Sequence, residues 1–231
     1  MDLTVVQVAF FFEDIIRKPE KRIKPLICNV FGDDYTEQKH DELMGINMPI
    51  DVPLIQMSYN RVFTWNINIA QSRLDIFVEL PVQKNCDIQS ELISDVNSII
   101  KKVIAQLLSK VDINRLGVVG KFFEINDNPT KLISQKLFNE KYNNSVELNF
   151  KVNNQVPFEN LVLNNITQIG EATMNTVDRD KKEHTPYRGV MLIRDINNKV
   201  DEDEILEEET VYKLLDFSCN SFTRAEIEKV W

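Results

Sequence analysis

Two histidines with carboxylate neighbours are the residues best suited to chemistry in this 231-residue chain. His40 sits near Asp33, Asp34, Asp41 and Glu42, and His184 near Asp178, Asp180 and Glu183. Imidazole and carboxylate together can hold a divalent ion, and His184 with Asp178 and Asp180 is the set that a metal-dependent hydrolase would use. Neither group has the i, i+4 spacing that places two ligands on one helix face, and both lie in charge-rich stretches that read as solvated loops.

Other chemistries find less. Asp75 and Glu79 with Lys84 bring acids and an amine into one segment, yet a nuclease core needs Glu-x-Lys on the strand, and Leu80-Pro81 follows Glu79. Alternation places Asp75 and Glu79 beside Phe77 on the solvent side of a hairpin. There is no G-x-S-x-G elbow, no P-loop and no G-x-G-x-x-G, and 6 glycines leave little room for a phosphate cradle. Cys28, Cys86 and Cys219 are far apart and in apolar surroundings, which suits inert thiols in a reducing cytoplasm. No cofactor is expected.

Binding features are stronger. The stretch Asn175 to Arg188, carrying Arg179, Lys181, Lys182 and His184, reads as a long loop between strands. Asp201, Glu202, Asp203, Glu204, Glu207, Glu208 and Glu209 place seven acids among nine residues, more than the start of a helix requires. The formal charge is −9, and residues 201–231 contribute −7 of it through ten acids and three bases. With no concentrated basic face, direct nucleic-acid binding is disfavoured. No membrane span is visible. The partner expected is a protein, with a homo-oligomer allowed.

The elements that must position these residues follow from periodicity. Thr4 to Glu13 is a continuous β-branched and aromatic run, a central strand. Arg22 to Phe31 reads as a second strand with Pro25 at a bulge or edge, residues 32–49 as irregular, and Leu54 to Tyr59 as a short strand. Arg61 to Gln71 and Arg73 to Leu80 alternate as a hairpin, with Phe63, Trp65, Ile67 and Ile69 inward and Thr64, Asn66 and Asn68 outward. Ile88 to Lys110 is an amphipathic helix capped by Asp87, its stripe running through Val96, Ile99, Val103 and Leu107. Ile113 to Asn126 returns as a strand whose Gly117 and Gly120 permit a bulge or a close helix approach. Pro129 to Phe138 is a helix capped by Asn128. Val146 to Val156, Asn160 to Thr173 and Gly189 to Ile196 are strands, and Asp201 to Trp231 is one long acidic helix with Ile205, Leu206, Leu214, Leu215, Phe217, Phe222 and Ile227 toward the sheet.

Runs of strands punctuated by single helices predict a single α+β domain over residues 1–231, with a mostly antiparallel curved sheet and one long amphipathic helix per half. Halves at 1–127 and 128–231 would fit a duplication, though no repeat stands out residue by residue.

At Arg115-Leu116-Gly117, with Asn126 as a displaced echo, the chain resembles a sporadically distributed family of bacterial proteins of unknown function. That family is marked by an Arg-x-Gly-Leu-Arg-Tyr-x-Asn strand after a long helix; here Val118-Val119-Gly120 replaces the Leu-Arg-Tyr core. The opening VVQVAFFFED and the closing GVMLIRDIN and FSCNSFTRAEIEKVW look similar as well. The resemblance implies an α+β fold and a defence or mobile-element setting, and it carries no catalytic residues. The function expected is therefore a non-enzymatic cytoplasmic interaction protein of a bacterial or phage conflict system. The alternatives are an anti-defence inhibitor acting by acidic nucleic-acid mimicry, and a metal-dependent hydrolase.

Overall fold

A computed structural model describes residues 1–39, 49–80, 88–178, 183–199 and 205–231. The elements are β1 (Asp2–Phe12), α1 (Pro19–Arg22), α2 (Lys24–Phe31), β2 (Thr36–Lys39), β3 (Ile55–Asn60), β4 (Thr64–Ile69), β5 (Arg73–Glu79), α3 (Ile88–Leu108), β6 (Ile113–Ile125), α4 (Pro129–Phe138), β7 (Asn149–Phe158), β8 (Leu161–Asp178), β9 (Glu183–Asn198), α5 (Glu208–Asn220) and α6 (Arg224–Ile227). All nine strands join one open sheet in the order β2-β3-β4-β5-β1-β6-β9-β8-β7, and every pairing is antiparallel. The fold is α+β, with one sheet running through both halves.

The centre is the pair β1–β6. The apolar run of β1 hydrogen-bonds to β5 on one side and β6 on the other, which places it in the middle of the sheet. Register aligns Met57, Ile67, Ile76, Val8, Val118 and Ile196 as one row across six strands. All six are buried, and Val96, Ile100, Val103 and Leu107 of α3 and Val211, Leu214 and Leu215 of α5 belong to the same core. Asp216 clasps the two helices together: its carboxylate accepts from Asn97 Nδ2 at 2.7 Å and lies 2.7 Å from Lys101 Nζ.

Several expectations need correcting. Residues 22–31 form helix, because Ile23, Leu26, Ile27 and Phe31 fall at helical spacing and all are buried, while Pro25 occupies the first turn of α2 where no N–H is needed. Phe31 then packs on Tyr59 and Trp65, with ring centroids 5.0 and 5.2 Å apart. The stretch read as irregular contains β2. Strand β7 begins at Asn149, and Val146 is exposed. Asn128 precedes α4 without a side-chain cap bond; its own N–H donates to Asn126 Oδ1 at 2.8 Å.

The C-terminal segment is not one helix. It starts at Glu208, with Leu206 buried and Ile205 half-exposed rather than facing the sheet, and it breaks after Asn220. The break turns Phe222 inward, to lie edge-on to Phe122 at 6.1 Å. A Cβ on Gly120 would stand 3.1 Å from the Phe222 ring, so this glycine admits the aromatic that the helix break delivers. Gly117 has no such contact, and the β1–β6 register shifts fall at Leu3/Val5 and Phe11/Phe12 rather than at either glycine.

Phe222 has no exposed surface. Phe222→Ala is expected to lower the unfolding free energy by about 3–5 kcal/mol, as urea denaturation would measure, because the void left over Gly120 has only a glycine beneath it.

Candidate binding face

Strand parity divides the sheet into two faces. The helices take the face of Val8 and Ile76. Among the described residues no helix packs on the other face, and its side chains lie outside the core cluster. Three register rows define it. The first is Ser58, Asn66, Phe77, Gln7, Val119, Asp195, Ile166 and Asn153; the second is Gln56, Asn68, Asp75, Ala9, Gly117, Asn197, Asn164 and Gln155. The third is Asn60, Thr64, Glu79, Val5, Lys121, Ile193, Gln168 and Lys151. The outer strands thus contribute mainly amides and hydroxyls, with Ile166 and Lys151 among them, and the middle strands mix Val5, Ala9, Phe77, Val119 and Ile193 with Gln7, Asp75, Glu79, Lys121, Asp195 and Asn197.

Phe11 stands at one end of the middle strands between two guanidinium groups, with Arg73 at 5.8 Å and Arg115 at 5.0 Å from its ring centre. Each contact of this kind contributes about 0.5–1 kcal/mol at an exposed site. A polar network runs outward from this point. Arg73 Nε lies 2.9 Å from Asp75 Oδ2, and Gln7 Nε2 donates to Asp75 Oδ1 at 3.1 Å. On the far side Arg115 Nη2 donates to Asn197 Oδ1 at 3.0 Å, Asn164 Nδ2 donates to the same oxygen at 3.1 Å, and Asn153 Nδ2 donates to Asn164 Oδ1 at 3.1 Å. Asn197 Nδ2 in turn donates to Asp195 Oδ1 at 2.9 Å. The charges near the centre balance, Arg73, Arg115 and Lys121 against Asp75, Glu79 and Asp195.

Asp75 departs from the solvent-facing reading. Only Glu79 of that pair is exposed; Asp75 is 3% exposed beneath its neighbours. Burial pushes its carboxyl above the ordinary value, against the opposing pull of Arg73 and the Gln7 hydrogen bond.

The residues singled out from the sequence lie elsewhere. Arg179, Lys181, Lys182, Asp180 and the acids Asp201, Glu202, Asp203 and Glu204 fall outside the described residues, as do His40, Asp41, Glu42, Lys84, Cys86 and Asp87. The long loop expected at 175–188 is mostly ladder: Asn175 pairs with Pro186, Val177 with His184 and Asp178 with Glu183. The β-branched residues Thr176, Val177 and Thr185 favour strand there. Among the described residues no group of three metal-binding side chains occurs.

Glu207, Glu208 and Glu209 are exposed around the start of α5. Glu209 is already paired: Lys213 lies 2.8 Å from it and 2.6 Å from Glu159, and these contacts hold the Glu209 carboxyl below its ordinary value. Together they border an open cleft of about 560 Å³ whose charged lining is three carboxylates, Glu159, Glu207 and Glu209, and one amine, Lys213. Cys219 is buried and its thiol is pushed up to about 12, which makes it unreactive at neutral pH. No described helix is long and apolar enough to cross a membrane. Comparison of the chain with protein-family profiles, curated proteins and solved structures finds no match.

The face itself was partly visible in the sequence, since Thr64, Asn66 and Asn68 alternate with the core residues of β4. The matching amides of β7–β9 were not collected, because the register that aligns them is set by a hairpin turn between distant segments.

Because the folded pKa of Asp75 lies above the unfolded one, its ionised form costs stability at neutral pH, and that cost vanishes as pH falls through the folded value. Asp75→Asn is expected to be at least as stable as wild type at pH 7, with the difference closing toward a pH of about 3, where both forms are neutral. Urea midpoints across that range are the measurement; a wild type more stable at pH 7 would show that the Arg73 pairing outweighs burial.

Proposed function

We propose that this chain is a non-enzymatic interaction protein whose binding surface is the helix-free face of the sheet. The observation that carries the reading is the arrangement of that face: Val5, Phe77, Val119 and Ile193 at the centre, with amides on the outer strands. An apolar centre within a polar, hydrogen-bonding rim is the anatomy of a protein interface. A face that met only water would have little reason to hold aliphatic and aromatic side chains across its middle strands. The balance of charge gives no grip to a phosphate backbone. The placement in a cytoplasmic bacterial or phage conflict system rests on the family resemblance alone.

A photo-crosslinking residue at Val119 is expected to form a protein adduct in cells of the native host. The same residue at Lys102, exposed on α3, is expected to form none. Equal labelling at the two positions, or no adduct at Val119, would remove the face from this role.

We further infer that the chain is a duplication, cut at 111/112 rather than at 127/128. The strand order supports it. From the centre outward the first half runs β1-β5-β4-β3 and the second β6-β9-β8-β7. A repeat also emerges once the β1–β6 register supplies the offset. Asp2, Val8, Phe12, Ile15, Pro19, Lys21 and Ile23 recur as Asp112, Val118, Phe122, Ile125, Pro129, Lys131 and Ile133, each 110 residues on. Val8 is also the residue that pairs with Val118, so the offset found in sequence puts a local dyad where the hydrogen-bond register puts one. Environments agree as well: Ile15 and Ile125 are 54% and 51% exposed, Ile23 and Ile133 fully buried, and Pro19 and Pro129 each open a helix.

Interchangeable halves should tolerate a change of order. The terminal Met1 and Trp231 both meet Glu124, the indole N–H donating to its Oε2 at 2.6 Å and the terminal amine lying 3.9 Å away. A circular permutant opened at Asp112 with a short linker joining these ends is expected to keep the far-UV spectrum and a cooperative urea transition. A chain that fails to fold would count against two self-contained units.

A further inference from the structure

We propose that a second copy of this chain covers the helix-free face, forming a homodimer by packing sheet on sheet; this rests on the interaction reading above. Three observations select this occupant. The first is size. Nine strands at about 4.8 Å spacing and three rows of like-facing residues give a surface of about 40 by 20 Å, on the order of 800 Å², which is what each partner buries in a stable complex.

The second is charge. The chain carries −9 overall, which would oppose self-association through most of its surface. On this face Arg73, Arg115, Lys121 and Lys151 stand against Asp75, Glu79 and Asp195, a net +1 against −9 for the chain, so two copies meet there with little net repulsion. The exposed acids Glu207, Glu208 and Glu209 belong to the helix layer on the opposite side. A strongly acidic or basic partner finds no complement on a nearly neutral face, whereas a nearly neutral face is its own complement.

The third is that the acceptor oxygens near the centre are already partnered within the copy. Asp75 is held by Arg73 and Gln7, and Asn197 by Arg115 and Asn164. Covering the face therefore buries oxygens that already have partners, which lowers the desolvation cost of a sheet-on-sheet contact, although Arg73 Nε and Arg115 Nε are buried without a hydrogen bond. Two sheets packed this way stand about 10 Å apart, close enough for Phe77, Val119 and Ile193 to interdigitate with their counterparts.

Sedimentation velocity on the purified chain, over concentrations on the order of 1–100 µM, is expected to show a dimer in reversible exchange with monomer. Val119→Arg and, separately, Ile193→Glu should weaken it by about 100-fold while leaving unchanged the urea midpoint measured at concentrations low enough for the wild type to be monomeric, because both side chains are only partly buried in the monomer. Lys102→Glu on the outer side of α3 should have no effect. A wild-type chain that is monomeric throughout, or a dimer that survives both face variants when each is folded, overturns the proposal. The Val119 photo-adduct separates the two readings: an adduct at twice the mass of the chain supports self-association. An adduct to a different protein alone overturns self-association and leaves the interaction reading standing, and no adduct overturns both.

Discussion

The antiparallel pairing of β1 with β6 is the constraint on which the rest of the structure depends. Each of these strands has a ladder on both sides, so neither can shift without breaking two registers. Side-chain parity is set at the same place. A slip of one residue would carry Val6, Val8 and Phe10 to the bare face and bring Gln7 and Phe11 into the core. The buried row through Val8 and Val118 resists that slip, since each aliphatic removed from the core costs on the order of 2–5 kcal/mol. The same row decides which face the helices cover, and so which face is left bare.

The helix layer follows from this choice and explains where the charge went. Helices α3 and α5 lie against the central strands and are fastened to each other by Asp216, Asn97 and Lys101. Those contacts hold the Asp216 carboxyl below its ordinary value even though burial works the other way. Glu208 and Glu209 sit in the first turn of α5, where the helix end favours negative charge. The acids thus have a structural reason to be on the helix side, and the opposite side is free to be neutral.

How much of this was legible in the sequence depended on the range of the interaction. The hairpin β4–β5, helix α3 and strand β6 are specified by local alternation or helical stripe, and each was readable within a residue or two. Residues 22–31 were misread because Ile, Val and Phe favour strands in isolation, while the helical spacing of Ile23, Ile27 and Phe31 becomes decisive only when Tyr59 and Trp65 are there to receive Phe31. The β8–β9 extension was missed because Asp178, Lys181, Lys182 and Glu183 look like a solvated loop, whereas pairing across a long hairpin can carry strand into a charged tip. The bare face was the hardest to see. Its residues come from strands far apart in the chain, Gln7 and Asp195 of one row being 188 positions apart, and only the sheet order makes them neighbours.

Under the proposed duplication, the pattern of difference between the halves carries its own information. At the 110-residue offset several core positions agree, as at Val8 and Val118, Phe12 and Phe122, and Ile23 and Ile133, and Leu3/Ile113 and Val6/Leu116 stay aliphatic, whereas Ile16 stands against Asn126, Leu26 against Lys136 and Phe31 against Lys141. Phe10 stands against Gly120, and there Phe222 enters from the C-terminal turn to supply the missing ring. The bare-face positions all differ: Val5 against Arg115, Gln7 against Gly117, Ala9 against Val119, Phe11 against Lys121. Drift under water alone would leave both halves polar. Instead two of the four exchanges, Val5/Arg115 and Phe11/Lys121, set an apolar residue in one half against a charged one in the other; Ala9 and Val119 are apolar in both, and Gln7 and Gly117 in neither. The outcome is a face that kept its hydrophobic middle while losing its symmetry, with Phe11 now stacked between Arg73 of one half and Arg115 of the other. A core tolerates little change because packing constrains it from all sides. A bare face is free of that constraint, and its apolar centre is what the proposed interaction would cover.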